Sequence, residues 1–125
     1  MNIPSNLKYT KSDEWFDPST GAVGISDFAQ SQLSDIVFVE LLVEEGEEVS
    51  AGKAIASVES VKASAEIYSP VAGKVSAVNK ELSDKPETLN SDPFGEGWMI
   101  KIEGGSAGDM MDSVAYEKDC EGRAH

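Results

Sequence analysis

The sequence predicts one mainly β domain, with a short internal helix and a C-terminal helix at its margin. Three observations predict it. Short apolar and β-branched runs recur between clusters of Gly, Pro, Asp, Asn and Ser. Helical spacing stands out in two stretches, residues 27–33 and 109–118. A length of 125 residues, 40% of them hydrophobic, suits one self-contained core without metal or disulfide staples. Many short strands with frequent turns suggest a small sandwich or closed sheet with helices at the periphery.

The elements follow in order. Leu7 to Ile25 reads as short strands, with Asp17-Pro18-Ser19-Thr20-Gly21 turning Trp15-Phe16 into Ala22–Ile25. Ser26 or Asp27 is suited to cap a helix through Leu33, whose narrow apolar face is Phe28, Ala29 and Leu33. Ile36 to Val43 is apolar apart from Glu40 and reads as a strand buried on both faces. A charged turn follows at Glu44–Glu48, and a second at Ala51-Gly52-Lys53. Ala54–Glu59 is a strand with Ala54, Ala56 and Val58 on one face. Ser64–Tyr68 is its return strand, ended by Ser69-Pro70 because proline cannot donate to a ladder.

Ala72-Gly73 turns the chain into a strand over Lys74–Val78, and Asn79 is suited to cap one helical turn through Leu82. Residues 83–97 read as loop, with Pro86, Pro93, Gly95 and Gly97. Trp98–Glu103 alternates as a half-buried strand, with Trp98, Ile100 and Ile102 against Met99, Lys101 and Glu103. After Gly104-Gly105, a helix over Asp109–Lys118 would bury Met110, Met111, Val114 and Ala115. The domain is expected to end at Cys120, with residues 121–125 a frayed tail.

Composition narrows the function classes. A net charge of −13 argues against nucleic acid and anionic membrane surfaces; it suits either docking to a basic protein partner or simply keeping a small protein in solution. The single cysteine rules out an internal disulfide and fits a reducing compartment. No apolar run approaches the roughly 20 residues that span a bilayer. The N-terminal residues lack signal-peptide features. The expected location is the bacterial cytoplasm, or the mitochondrial matrix if a transit peptide has been removed.

Catalytic chemistry is scarce. The one histidine is His125, so a Ser-His-Asp or Cys-His arrangement would have to recruit the chain end. Zinc ligands are too few, and neither a phosphate loop nor a G-x-G-x-x-G fingerprint occurs. An enzyme is therefore not expected, nor a metal site. A carrier needs only one well-presented attachment point. Lys62 sits between two strand-like runs, where a hairpin tip would project its amine into solvent on a flexible stem. On spacing alone it is an ordinary turn lysine, because Asn-Gly and Asp-Gly are absent.

The segment Glu59-Ser60-Val61-Lys62-Ala63 resembles the lipoyl attachment motif of the glycine cleavage system H-protein family. Similar segments recur in order over Leu7 to Cys120. They include Tyr9-Thr10-Lys11, Glu14-Trp15, Val23–Gln30, Asp35–Leu41, Tyr68–Gly73, Asn90–Pro93 and Gly95–Ile102. The resemblance implies a barrel-sandwich hybrid like that of lipoyl domains, with two small antiparallel sheets around one core. It implies lipoate bound covalently through an amide to Lys62, on a monomeric shuttle.

It also implies partners. A pyridoxal-phosphate glycine decarboxylase would load an aminomethyl group, and an aminomethyltransferase would pass its carbon to tetrahydrofolate. Dihydrolipoamide dehydrogenase would reoxidise the dithiol. A lipoate ligase or lipoyl transferase would attach the arm. In the family the loaded arm folds into a cleft that shields its cargo from hydrolysis; the matching residues here are Ser12, Glu14 and Glu66, with Gln32 nearby. Departures from the family pattern include Asp13, where histidine usually precedes Glu-Trp, and Glu66 in place of the shorter aspartate. Asp119 stands where an aromatic residue is common. The alternative function is a lipoate relay donating lipoyl groups to other enzymes. A biotin carrier fits less well, since its lysine is usually flanked by methionines rather than Val61 and Ala63.

Overall fold

A computed structural model describes residues 2–105 and 110–123. Nine strands and four helices occur among them. Strands β1 (Lys8–Tyr9), β2 (Glu14–Phe16) and β3 (Ala22–Ile25) precede helix α1 (Asp27–Leu33). Then come β4 (Ile36–Leu41), β5 (Glu48–Val49), β6 (Ala54–Ser60), β7 (Ser64–Tyr68) and β8 (Gly73–Val78). Helices α2 (Glu81–Asp84) and α3 (Thr88–Ser91), strand β9 (Ile100–Glu103) and helix α4 (Ser113–Arg123) complete the order. All pairings are antiparallel: six strands run β1-β2-β3-β9-β8-β5, and three run β4-β6-β7. The mainly β expectation, with two antiparallel sheets and an internal helix, holds.

Strand alternation divides the apolar residues between two clusters. Phe16, Val23 and Ile25 point into the main core, which they share with Val39, Ile55, Val58, Ile67 and Ile100. Trp15 and Ala22 point the other way, into a second cluster with Tyr9, Phe28, Tyr116 and Cys120. Helices α1 and α4 supply the last three of these, so the six-stranded sheet is covered on its outer face as well. Continuous burial along β2 and β3 follows from that double cover. Gly24 has a steric reason: a Cβ there would lie 2.8 Å from Trp15 Nε1.

Several elements differ from the sequence expectation. Strand β4 buries one face only, leaving Val37 and Phe38 exposed; it is an edge strand, and its pairing with β6 shifts register between Ile36 and Phe38. The corresponding irregularity in β6 against β7 buries both Ile55 and Ala56. Met99 is fully buried, because β9 begins only at Ile100. Asn79 does not cap a helix with its side chain. Its Nδ2 donates to the carbonyls of Glu96 and Trp98 instead, and α2 starts at Glu81. Within the expected loop, α3 buries Leu89.

The C-terminal helix is displaced toward the chain end. It begins at Ser113, and Met111 forms an isolated bridge with Tyr9 rather than part of a helical stripe. Its buried residues are Tyr116 and Cys120, while Val114 is exposed. Tyr116 stacks on Tyr9 with centroids 4.6 Å apart, which selects that face. Helix α4 extends through residues 121–123, and Arg123 pairs with Asp13 in the turn before β2. The expected start at Asp109 and the last two residues lie outside the described residues.

Candidate functional site

Lys62 occupies the tip of the β6–β7 hairpin, exposed, as its strand-flanked sequence position predicts. The tip is organised by Ser60. Its Oγ accepts from the backbone N–H of Lys62 at 3.1 Å and of Ala63 at 2.9 Å, and donates to the Ala63 carbonyl at 3.0 Å. A serine hydroxyl bonding backbone groups two and three residues on is a local turn device that needs neither Asn-Gly nor Asp-Gly. Val61 N–H donates to the Asp35 carbonyl at 3.0 Å, which anchors the turn to the segment before β4. Val61 itself is 70% exposed beside the lysine. Glu59 is exposed on β6, paired across the strands with Phe38 and Ser64.

The lysine ammonium donates to the main-chain carbonyl of Gln32 at 3.3 Å. That carbonyl lies in the last turn of α1, where helix ends leave acceptors without intrahelical partners and the dipole favours cations. Gln32 thus meets Lys62 through its backbone. Helix α1 is set by its own cap: Ser26 Oγ accepts from Ala29 N–H at 3.2 Å.

A second grouping lies where β2 meets β7. Glu14 is 1% exposed. Its Oε1 accepts from Thr10 Oγ1 and Ser12 Oγ, each at 2.6 Å, and its Oε2 accepts from the Tyr68 N–H at 3.2 Å. Strand β7 is a free sheet edge, so the carboxylate satisfies an edge donor and ties the two sheets together. Burial pushes the Glu14 carboxyl above the ordinary range, against the lowering hydrogen bonds from Ser12, Thr10 and Tyr68; the negative Asp13 adds to the rise. Glu66 lies on β7 two residues from Tyr68, exposed, and paired across the strands with Ser57. Glu66 and Tyr68 border a shallow depression of about 410 Å³ on the outer face of the three-stranded sheet.

Ser12 and Glu14 are therefore in contact, Gln32 meets Lys62, and Glu66 shares a strand with Tyr68. Thr10 and the Tyr68 N–H are further members that residue type alone did not mark. Thr10 carries a retrospective signal, since it stands four residues before Glu14 across a tight turn.

The family model for glycine cleavage H-protein matches residues 7–122 of this chain. The chain belongs to the glycine cleavage H-protein family. Members of that family carry lipoate. The chain is 50% identical over 118 residues to the glycine cleavage system H protein of Deinococcus deserti, covering 94% of this chain and 97% of that one. It is also 50% identical over 114 residues to the Deinococcus radiodurans H protein, covering 91% and 93%. The crystal structure of a glycine cleavage system H protein from Mycobacterium marinum matches with a TM-score of 0.85 at 35% identity, covering 93% of this chain and 97% of that one. Among the described residues no cluster of three or more His, Cys, Asp or Glu is placed to hold a metal, and no helix is long and apolar enough to cross a membrane.

Proposed function

We propose that this chain is the lipoyl shuttle of a glycine cleavage system, that Lys62 bears the lipoate, and that the chain has no catalytic activity of its own. The observation that carries the reading is Lys62 itself, an exposed amine on a turn stapled by Ser60, within a chain of this family. The residues present suit the group. The ammonium touches only a backbone carbonyl among its described partners, so acylation breaks no ion pair, and the resulting amide keeps an N–H to donate. Lipoate, when attached, supplies a disulfide that takes up an aminomethyl group and reducing equivalents; the protein supplies presentation and shelter.

Ser60 fixes the direction in which the arm leaves, while Val61 and Ala63 leave the lysine accessible to a ligase or transferase. Ser12 and Glu14, hydrogen-bonded to each other at the β2–β7 seam, are the proposed sheltering residues for the cargo, and Glu66 offers a second carboxylate on the same strand as Tyr68. A protonated amine would be favoured beside those carboxylates. Glycine decarboxylase, the aminomethyltransferase and dihydrolipoamide dehydrogenase are the proposed partners of a monomeric carrier. The proposed compartment is the bacterial cytoplasm, in keeping with the bacterial relatives.

Intact mass after incubation with lipoate and a lipoate ligase tests the assignment. One lipoyl addition is expected, abolished in Lys62→Arg; addition at another lysine overturns it. Glycine–bicarbonate exchange with the decarboxylase then tests the shuttle, with activity expected only for lipoylated protein.

A further inference from the structure

Asp13 stands between Ser12 and Glu14, the two residues proposed to shelter the cargo, and its backbone has φ of 74°, the left-handed region that non-glycine residues rarely enter. It is held there from several directions. Its N–H donates to the Thr10 carbonyl at 3.2 Å, and its own carbonyl accepts from Ser26 N–H at 2.9 Å. Arg123 grips both carboxylate oxygens, Nη2 to Oδ1 at 2.7 Å and Nη1 to Oδ2 at 3.2 Å. The Tyr116 hydroxyl donates to the same Oδ1 at 2.9 Å and also bonds Ser26, the cap of α1. Arg123 is fixed in turn by Asp119 at 3.0 Å and by the Phe28 ring, 4.9 Å from its guanidinium.

We propose that Arg123, at the end of α4, is a positioning residue for the arm-sheltering pocket: by its two-pronged grip on Asp13 it holds Ser12 and Glu14 in the geometry that receives the cargo. The inference rests on the carrier reading and on the pocket at Glu14. A planar guanidinium meeting a carboxylate at two points fixes orientation as well as distance, which a point charge does not. Arg123 is exposed and Asp13 half-buried, with side-chain exposures of 36% and 18%, so the effect of the pair rests on its two-point geometry rather than on burial. Its geometric consequence falls on the next residue. The left-handed turn at Asp13 sends the Glu14 side chain inward to Tyr68, and Tyr68 belongs to the strand that leads back to Lys62.

The test uses the full lipoylated chain and two neighbouring amides. Tyr68 N–H donates to Glu14, whereas Ser69 N–H donates to the Lys53 carbonyl at 2.8 Å. In Arg123→Gln, amide exchange at Tyr68 is expected to quicken about tenfold with Ser69 unchanged, as for a local opening. Asp13→Asn, which tolerates the left-handed backbone, should do the same, and Arg123→Lys should restore part of the protection. The exposed helix control Glu117→Gln should change neither amide. The second readout is the lifetime of the aminomethyl cargo, which water cleaves to formaldehyde and ammonia, leaving the thiol. That lifetime should shorten severalfold in Arg123→Gln, with lipoylation at Lys62 undiminished by mass. Joint acceleration of both amides, or an unchanged Tyr68 amide, overturns the proposal; so does a loosened Tyr68 with cargo lifetime unaltered. A wild-type cargo no longer-lived than free aminomethyl-lipoamide overturns the pocket reading itself, and is seen without any variant.

Discussion

The Tyr68 main-chain N–H donates to Glu14 Oε2 at 3.2 Å across 54 residues of chain, joining the edge of the three-stranded sheet to the six-stranded one. A glutamate that is 1% exposed thus serves as a sheet-to-sheet tie.

The position of Glu14 carries a pH signature. Burial raises its carboxyl above the ordinary value, so the folded state binds that proton more tightly than the unfolded chain. The stabilisation this gives is fully present below the ordinary value of 4.5 and is lost as pH rises through the raised folded value. Glu14→Gln should remove the trend. Its amide oxygen can still accept from Thr10 and Ser12, but its nitrogen would face the Tyr68 N–H. Melting temperatures of both proteins across this window should diverge, with the wild type losing ground as pH rises. A pH-independent difference would contradict the raised carboxyl.

The attachment turn depends on one hydroxyl. Ser60→Ala removes three local hydrogen bonds at an exposed site, so stability should change by no more than about 1 kcal/mol. The initial rate of lipoylation should nevertheless fall, because Lys62 is no longer presented in one geometry. Time-resolved intact mass reads the rate, and urea unfolding reads the stability.

Gly24 is predicted to resist substitution. In Gly24→Ala the new methyl would press on the Trp15 indole, 2.8–2.9 Å away, while that indole is held by donation to the Pro93 carbonyl at 2.9 Å. Overpacking of this kind costs about 1–3 kcal/mol. The urea midpoint should drop accordingly, with Trp15 fluorescence shifting as the ring moves.

Tyr116→Phe keeps the stack on Tyr9 but deletes the hydroxyl shared by Ser26 and Asp13. Ser26 keeps its bond from Ala29 N–H and Asp13 keeps Arg123, so losing the shared hydroxyl should cost about 1 kcal/mol. Chemical denaturation measures the loss. A stability equal to the wild type would mean that the network rests on Arg123 alone.

Much of this molecule was legible from local pattern. Alternation placed β7 at Ser64–Tyr68, and residues able to bond their own backbone marked the turn at Asp17–Gly21 and the cap at Ser26. The turn position of Lys62 could be read because it sits between two contiguous strand-like runs, whereas its role as an attachment point came only from the resemblance of the surrounding segment. Such features depend on residues a few positions apart, so the order of side chains determines them.

The tertiary fold decided the rest. Val37 and Phe38 are as apolar as their neighbours, and only the edge position and register shift of β4 turn them outward. Asp13 and Arg123 are 110 residues apart, and no periodicity links them. Their pairing exists because α4 returns across the outer face of the six-stranded sheet, led there by Tyr116 on Tyr9. Glu14 has the same history: its sequence neighbours mark a strand, but its burial and its bond to Tyr68 arise only when two sheets close on one core. Apolar burial is non-directional and can be read as a pattern, whereas a buried charge needs particular partners that only the assembled chain brings within reach.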